Sequence, residues 1–391
     1  MLSGGMEDKA ARQSDSTTAL TDQNKKNSSH CRAIELSRCS TNLSVLSVAY
    51  PFAPVRPDTA GGAEHVLRML DKALTESGHR SVVVAAKGSS ISGELIEIPA
   101  WPGRIGQSAR ENMRRLLAQV LAGVLSGDAG ADRFDIVHMH GVDFAGYLPS
   151  EGHPVLVTLH LWPDAYGKDI YRAAARNNTY FNCVSSSQAK ACAFQSANMP
   201  VIENGVPVMT QDGRSPRNSY ALCLGRICPE KGYHLALDAA KSAGIPLIIA
   251  GEVFPYPEHE IYFKEEILPR LDGKRYKFIG RVGGARKAAL LQSASCLLLP
   301  STVAETSSLV AMEALGCGTP VIAFASGALP EIIEDGKTGF IVNGPREMGR
   351  AILKSGLVDR EACITAARKK FSVDRMCRQY FELYREITGN K

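Results

Sequence analysis

The sequence predicts an α/β protein built from two doubly wound, Rossmann-like domains that face each other across a cleft. Three observations lead there. From residue 43 onward, short β-branched runs alternate with amphipathic helical segments, the pattern of a parallel sheet with crossover helices. The alternation occurs in two sets, separated by a polar stretch with Asn204-Gly205 and several prolines near 203 to 219. A chain of 391 residues with 45% hydrophobic content is also long enough for two ordinary cores.

The elements follow in order. Residues 1 to 42 are rich in Ser, Thr, Asn, Gln, Lys and Asp, so they have too little apolar surface to offset the entropy of ordering and are expected to be a disordered tail. NLSVLSVAY opens the first set. AEHVLRMLDKALTESG reads as a helix with Val66, Leu67, Leu70 and Leu74 on one face and Gly78 at its end. SVVVAA (81 to 86), FDIVHMH (134 to 140) and PVLVTLH (154 to 160) read as buried strands. Between them, GRIGQSARENMRRLLAQVLAGVL is an amphipathic helix with Arg110, Arg114 and Arg115 beside Met113, Leu117, Val120, Leu121 and Val124. It reads either as a surface helix whose apolar stripe meets the core or as a basic face for anionic lipid.

The second set starts at ALCLGR (221 to 226). It continues as helix KGYHLALDAAKSAG, strand PLIIAG, helix HEIYFKEEILPRL, strand KFIG, helix GARKAALLQSA, strand CLLLP, helix SLVAMEAL and strand PVIAF. The domains are therefore expected at 43–205 and 206–371, with a last amphipathic helix at 372–388 packing back across the junction.

Composition narrows the partners. A net charge of +5 suits anionic small molecules or an anionic membrane surface and gives no reason to invoke nucleic acid. The ten cysteines form no C-x-x-C pair and have no histidine at zinc spacing, so reduced core thiols and no metal site are expected. With no apolar run near eighteen residues and no secretory signal pattern, a cytoplasmic protein is expected.

In open α/β sheets ligands sit beyond the carboxyl ends of strands, so polar residues just after an apolar strand carry the chemistry. Arg226 follows ALCLG, and Lys231 with Gly232 opens the next helix. A guanidinium and an ammonium there suit a diphosphate beside a helix N-terminus. The plainer alternative is a surface ion pair with Glu230.

In PSTVAETSSLVAMEALGCGTPVIAF a strand, a turn and a helix carry two acids, Glu305 and Glu313. Ser307 or Ser308 is the N-cap, and the N–H groups of Ser308 and Leu309 are offered to phosphate oxygens. The carboxylates are strong acceptors for sugar hydroxyls; the alternative is that Glu305 is a solvated acid at a helix N-terminus and Glu313 is merely exposed. In the first half, Gly61 and Gly62 let the backbone approach a phosphate or acceptor, or simply form a tight turn. His160 ends a strand, as do His138, which looks structural, and His140, which looks ligand-facing.

These residues carry a resemblance. ETSSLVAME matches the E-x7-E signature of glycosyltransferase family 4, accompanied by GRICPEKG, IIAGE, FIGRVG and GTPVIAFASGALPEIIEDGKTGFIV. The similarity runs over roughly residues 43 to 388 and implies the two-domain, GT-B type fold. It further implies a retaining hexosyltransferase, with the acceptor mainly on the first domain and a nucleotide-diphosphate sugar, a UDP-sugar favoured, mainly on the second. By the family's pattern Arg226 and Lys231 contact the donor diphosphate, Glu313 the ribose and Glu305 the hydroxyls of the transferred sugar. Arg281 and Val282 lie near the base, and His160 near the reacting sugar. The chain departs from the pattern at Ser307-Ser308-Leu309, where an aromatic and a glycine are common, and at Glu203, where proline is usual.

The absence of any D-x-D leads to an expectation of metal-independent transfer without a cofactor, to a hydroxyl acceptor, with peripheral membrane contact left open. The rivals are a sugar phosphorylase or nucleotide-sugar epimerase on the same fold, and a catalytically silent nucleotide-sugar-binding protein.

Overall fold

The computed structural model describes residues 42–59, 61–127, 133–150, 152–192, 199–209 and 218–389. The expected tail and the middle of the polar linker lie outside the described residues.

The first lobe contains β1 (Ser44–Val48), β2 (Arg80–Ala86), β3 (Glu94–Ile98), β4 (Ile136–Met139), β5 (Val155–Leu159) and β6 (Thr179–Cys183). They form one parallel sheet in the order β3-β2-β1-β4-β5-β6, with Val45 opposite Ser81 on one side and Ile136 on the other. Its helices are α1 (Gly62–Glu76), α2 (Gln107–Ser126), α3 (Asp169–Ala174) and α4 (Ser186–Ala191).

The second lobe repeats the plan with β7 (Ala221–Leu224), β8 (Leu247–Ala250), β9 (Tyr276–Phe278), β10 (Cys296–Leu299), β11 (Val321–Phe324) and β12 (Gly339–Val342). Their order is β12-β11-β10-β7-β8-β9, again parallel. The helices are α5 (Tyr233–Ala243), α6 (Pro257–Tyr262), α7 (Gly284–Ser293), α8 (Leu309–Gly316), α9 (Leu329–Ile332), α10 (Pro345–Lys354), α11 (Arg360–Phe371) and α12 (Val373–Thr388). Strand order reverses between β1 and β4 and between β7 and β10, the two places where a doubly wound sheet opens a crevice at its strand ends.

The central strands are apolar because helices cover both faces: β1, β2, β4, β5, β7 and β10 are almost wholly buried. Three strands that the sequence pattern did not single out, β3, β6 and β12, all lie at sheet edges. With one neighbour each they tolerate polar residues, as in the largely exposed ELIEI of β3. The single helix expected over HEIYFKEEILPRL is instead α6, a π turn over Phe263–Ile267 and a 3-10 turn over Leu268–Arg270. Pro269, which lacks an N–H, lies within the closing 3-10 turn, after the α-helical ladder has already given way.

α2 turns Ala109, Met113, Leu117 and Leu121 into the first lobe's core, so its apolar stripe is a packing face. Among the described residues no helix is long and apolar enough to cross a membrane.

α12 is the device that joins the lobes. It follows the second lobe in sequence yet buries Met376, Cys377, Tyr380, Phe381 and Tyr384 against Leu43, Val45, Leu70, Leu74, Ile136 and Leu156 of the first. The two crossings of the chain run side by side: Val206 N donates to Phe371 O at 2.7 Å. A Cβ on Gly205 would lie 2.8 Å from the Val373 Cα, so only glycine permits this approach.

At the far end of α12 the buried Tyr384 hydroxyl lies 2.7 Å from His138 Nδ1, while His138 Nε2 lies 2.7 Å from Thr158 Oγ1. Tyr384→Phe strands a buried imidazole nitrogen and is expected to cost about 1–3 kcal/mol. Urea unfolding followed by first-lobe fluorescence checks this; an unchanged midpoint would contradict the assigned bond.

Candidate functional site

The site is built at the β7/β10 crevice. After β7 the chain passes Arg226 and makes a 3-10 turn, Pro229–Lys231, ending at Gly232. Gly232 has φ +63° and lies so close to the end of β10 that a Cβ would fall 2.3 Å from the Pro300 carbonyl oxygen. Glycine therefore lets the turn seat against the neighbouring strand end and points Lys231 at the loop that follows β10. Lys231 Nζ lies 2.5 Å from Glu305 Oε1, and Ser301 Oγ donates to the same oxygen. The two charged side chains are 23% and 12% exposed, so this is a largely desolvated pair rather than a surface one.

The Glu305 loop is held from behind. Its carbonyl accepts from Ala328 N at 2.8 Å, and Gly327, at φ +53°, packs so closely that a Cβ would sit 2.2 Å from that carbonyl oxygen. Ser326 Oγ donates to the Val303 carbonyl, and Thr302 N to the Glu230 carbonyl at 2.9 Å. The last bond ties the acid's loop to the lysine's turn.

α8 begins directly after this loop. Ser308 is its N-cap, accepting from Ala311 N at 3.4 Å, which decides between the two serines. Ser307 instead accepts from Asn204 Nδ2 at 3.1 Å, on the crossing between lobes. One turn into α8, Glu313 faces Lys287 of α7, whose Nζ lies 2.7 and 2.6 Å from its two carboxylate oxygens. Glu313 is 23% exposed, so neither acid is the freely solvated residue of the simpler reading.

The first lobe reaches the same place. A Cβ on Gly62 would lie 3.3 Å from Leu309 Cδ1, so the Gly61-Gly62 turn faces the start of α8 across the cleft. A Cβ on Gly61 would fall 1.8 Å from the Glu64 carboxylate, which folds back over this turn. Burial raises the Glu64 carboxyl above its ordinary range. The next residue, His65, has its imidazole held low by burial and then by the charge of Lys287. Arg281 also bridges the lobes: it donates to the Asp58 carbonyl and lies 3.5 Å from Glu252. Below the crevice, Ser186 N and Ser187 N of α4 donate to Glu331 of α9 at 2.8 and 2.6 Å.

Of the sequence-predicted residues, Lys231 and Glu305 are in contact, and Leu309 and Glu313 lie on α8, capped by Ser308, directly after the Glu305 loop. Arg226 lies between β7 and the Pro229–Lys231 turn and is 45% exposed, with its guanidinium 3.9 Å from Glu230, so its plainer alternative is present too. Val282 is partly buried against the second lobe's core, next to the bridging Arg281. His160 belongs to another cluster, on the first lobe: its Nε2 is 3.0 Å from His140 Nδ1, and the two rings stack at 5.2 Å. Four residues at the crevice were not picked from sequence: Ser301, Lys287, Glu64 and His65. Their signals were present, since Ser301 opens the turn after a strand and Glu64-His65 follows the glycine pair. Lys287 had none, because its meeting with Glu313 depends on how α7 packs against α8.

Two family patterns match consecutive parts of the chain: that described as Glycosyltransferase Family 4 over residues 60–209, and that described as Glycosyl transferases group 1 over residues 209–370. The protein belongs to the family-4 type of GT-B glycosyltransferases and is a glycosyltransferase. It is 26% identical over 253 residues to an uncharacterized glycosyltransferase of Methanocaldococcus jannaschii, covering 60% of this chain and 69% of that one. It is 34% identical over 153 residues to a D-inositol 3-phosphate glycosyltransferase of Mycolicibacterium paratuberculosis, a match spanning 38% of this chain and 34% of the relative. The fold matches that of Anabaena HepE in complex with UDP-glucose at a TM-score of 0.65, with 18% identity, over 88% of this chain and 99% of that one.

The histidine cluster generates a pH prediction. Burial lowers His160 to about 4, and burial followed by the neighbouring imidazoles places His138 and His140 well below their usual value. An unfolded imidazole titrates near 6.5, so between about 6.5 and 4 the unfolded chain binds protons that the folded chain does not. Stability therefore falls as pH drops through that window and is insensitive to these groups above it. The thermal midpoint is expected to decline from pH 7 to pH 5, more shallowly in His140→Asn; parallel curves for the two proteins would contradict the assignment.

Proposed function

We propose that the protein transfers a hexosyl group from a nucleotide-diphosphate sugar, a UDP-sugar in preference, to a hydroxyl acceptor with retention of anomeric configuration. The observation that carries this reading is the Lys231–Glu305 pair at the β7/β10 crevice, with Arg226 just before the lysine's turn and Glu313 on the adjoining helix. Cations fixed at strand ends suit a diphosphate leaving group, and carboxylates beside them suit sugar hydroxyls. That HepE is described in complex with UDP-glucose supports the choice of donor.

In this reading Lys231 leaves Glu305 in part for the diphosphate, joined by Arg226 and by the N–H groups of Ser308 and Leu309 at the start of α8. Glu305 Oε1 is already shared by Lys231 and Ser301, so its other oxygen takes a hydroxyl of the transferred sugar. Glu313 accepts from the ribose hydroxyls, Val282 lies beside the base, and the Gly61-Gly62 turn closes over the phosphates. The departing phosphate oxygen takes the proton of the acceptor hydroxyl as that hydroxyl attacks the same face of an oxocarbenium-like sugar. Neutral His160, held by His140, orients the sugar without adding charge. With no D-x-D in the sequence, leaving-group charge falls to Arg226, Lys231 and backbone amides, which makes the transfer metal-independent.

Lys231→Ala is expected to lower kcat roughly 10²–10³-fold, while circular dichroism shows the fold unchanged; near-normal turnover would sink the proposal. Glu313→Gln is expected instead to weaken donor binding, raising the KM for the UDP-sugar with a smaller change in kcat. Proton NMR of the product decides between rivals. An α-linked glycoside formed only with acceptor supports transfer, whereas sugar 1-phosphate or an epimerised donor supports the phosphorylase or epimerase reading.

A further inference from the structure

The fold assembles a second group of chemically active side chains beside the donor turn. Cys228 precedes the Pro229–Lys231 turn, Glu230 lies within it, and His259 comes from α6 in the next βα unit. One candidate ligand atom from each, a thiol sulfur, a carboxylate oxygen and an imidazole nitrogen, lies within 4.8 Å of the other two. No spacing along the chain signals this group, because the histidine is far from the cysteine in sequence and only the packing of α6 on the turn brings them near each other.

Three features distinguish the group from a chance surface cluster. Cys228 and His259 are buried, at 0% and 5% exposure, and Glu230 is partly buried. His259 Nδ1 is buried with no hydrogen-bond partner, an unmet demand in a dry setting. The imidazole is also fixed by rings on two sides: Phe254 stacks on it and Tyr256 meets it edge-on at 5.2 Å.

We propose that Cys228, Glu230 and His259 form a structural site for a thiophilic divalent cation, Zn2+ in particular. Sulfur, nitrogen and oxygen donors in one pocket match the ligand set of zinc, and water completes a tetrahedron. The three atoms move together by an ångström or so, a small adjustment for a turn and a short helix. In the cation's absence burial and the Glu230 carboxylate push the Cys228 thiol up to about 12. Binding releases that proton to solvent, so affinity rises with pH. The cation ties the turn that carries Lys231 to α6, and through the Thr302–Glu230 backbone bond it stiffens the Glu305 loop as well. It is a brace and takes no part in the transfer chemistry, so its test is independent of the proposed reaction.

The experiment uses the full chain exposed to Zn2+, dialysed, and assayed for metal by plasma mass spectrometry, with Co2+ as a spectroscopic substitute. Wild type and the control Cys317→Ser are expected to retain about one Zn2+ per chain and to show a thiolate-to-cobalt charge-transfer band in the near ultraviolet. Cys228→Ser loses the band, and both Cys228→Ser and His259→Ala lose zinc affinity by more than the roughly 10–100-fold that removal of an outer-shell partner costs. A chelator lowers the thermal midpoint of wild type and not of these variants. Folded wild type that retains no zinc, a cobalt complex without the thiolate band, or equal zinc retention by the two variants would overturn the site. The cobalt spectrum of wild type decides the matter even where a variant fails to fold.

Discussion

One desolvated contact organises the second lobe: the ammonium of Lys231 against the carboxylate of Glu305. A buried charge without a partner is expensive, so the turn after β7 and the loop after β10 are obliged to meet. Much of the local backbone serves that meeting. Gly232 lets the turn lie against the end of β10, Gly327 lets the next loop back the acid, and Thr302 bonds across to Glu230. The pair also balances its own charge within the crevice. A ligand that takes the lysine and offers hydroxyls to the acid replaces one satisfied arrangement with another, at little desolvation cost.

The same economy of charge governs how the lobes meet. Among the described residues the contacts between them include Leu309 facing Gly62, Arg281 reaching Asp58, Asn204 bonding Ser307, and Glu331 capping two amides of α4. None of these is an apolar interface of the kind that would lock the lobes. The apolar link is α12, which sits wholly on the first lobe and carries the chain's second crossing beside its first. The two crossings between the lobes therefore form one paired connection, held together at Val206 and Phe371.

The fold was legible in the sequence wherever burial on both faces forces apolar runs, which is why the central strands and the helices α1, α5, α8 and α12 could be read directly. The edge strand β3 escaped because exposure frees its composition, whereas the edge strand β9 was read from KFIG. The strand-end acids and cations were legible for a different reason: a charge placed next to a buried strand has few structural uses. What stayed hidden depended on packing between elements distant in sequence. Lys287 reaches Glu313 only through the α7/α8 contact, and His259 comes near Cys228 only through the seat of α6 on the Pro229–Lys231 turn. The pairing of His140 with His160 was likewise hidden, although both strand ends had been noticed.

The decisive measurement is a crystal structure with a non-hydrolysable UDP-sugar. The diphosphate is expected at the β7/β10 crevice, bound by Lys231, Arg226 and the first amides of α8, with Glu305 and Glu313 on hydroxyls either side of it. A diphosphate seated elsewhere, with Lys231 still paired only to Glu305, would contradict that placement.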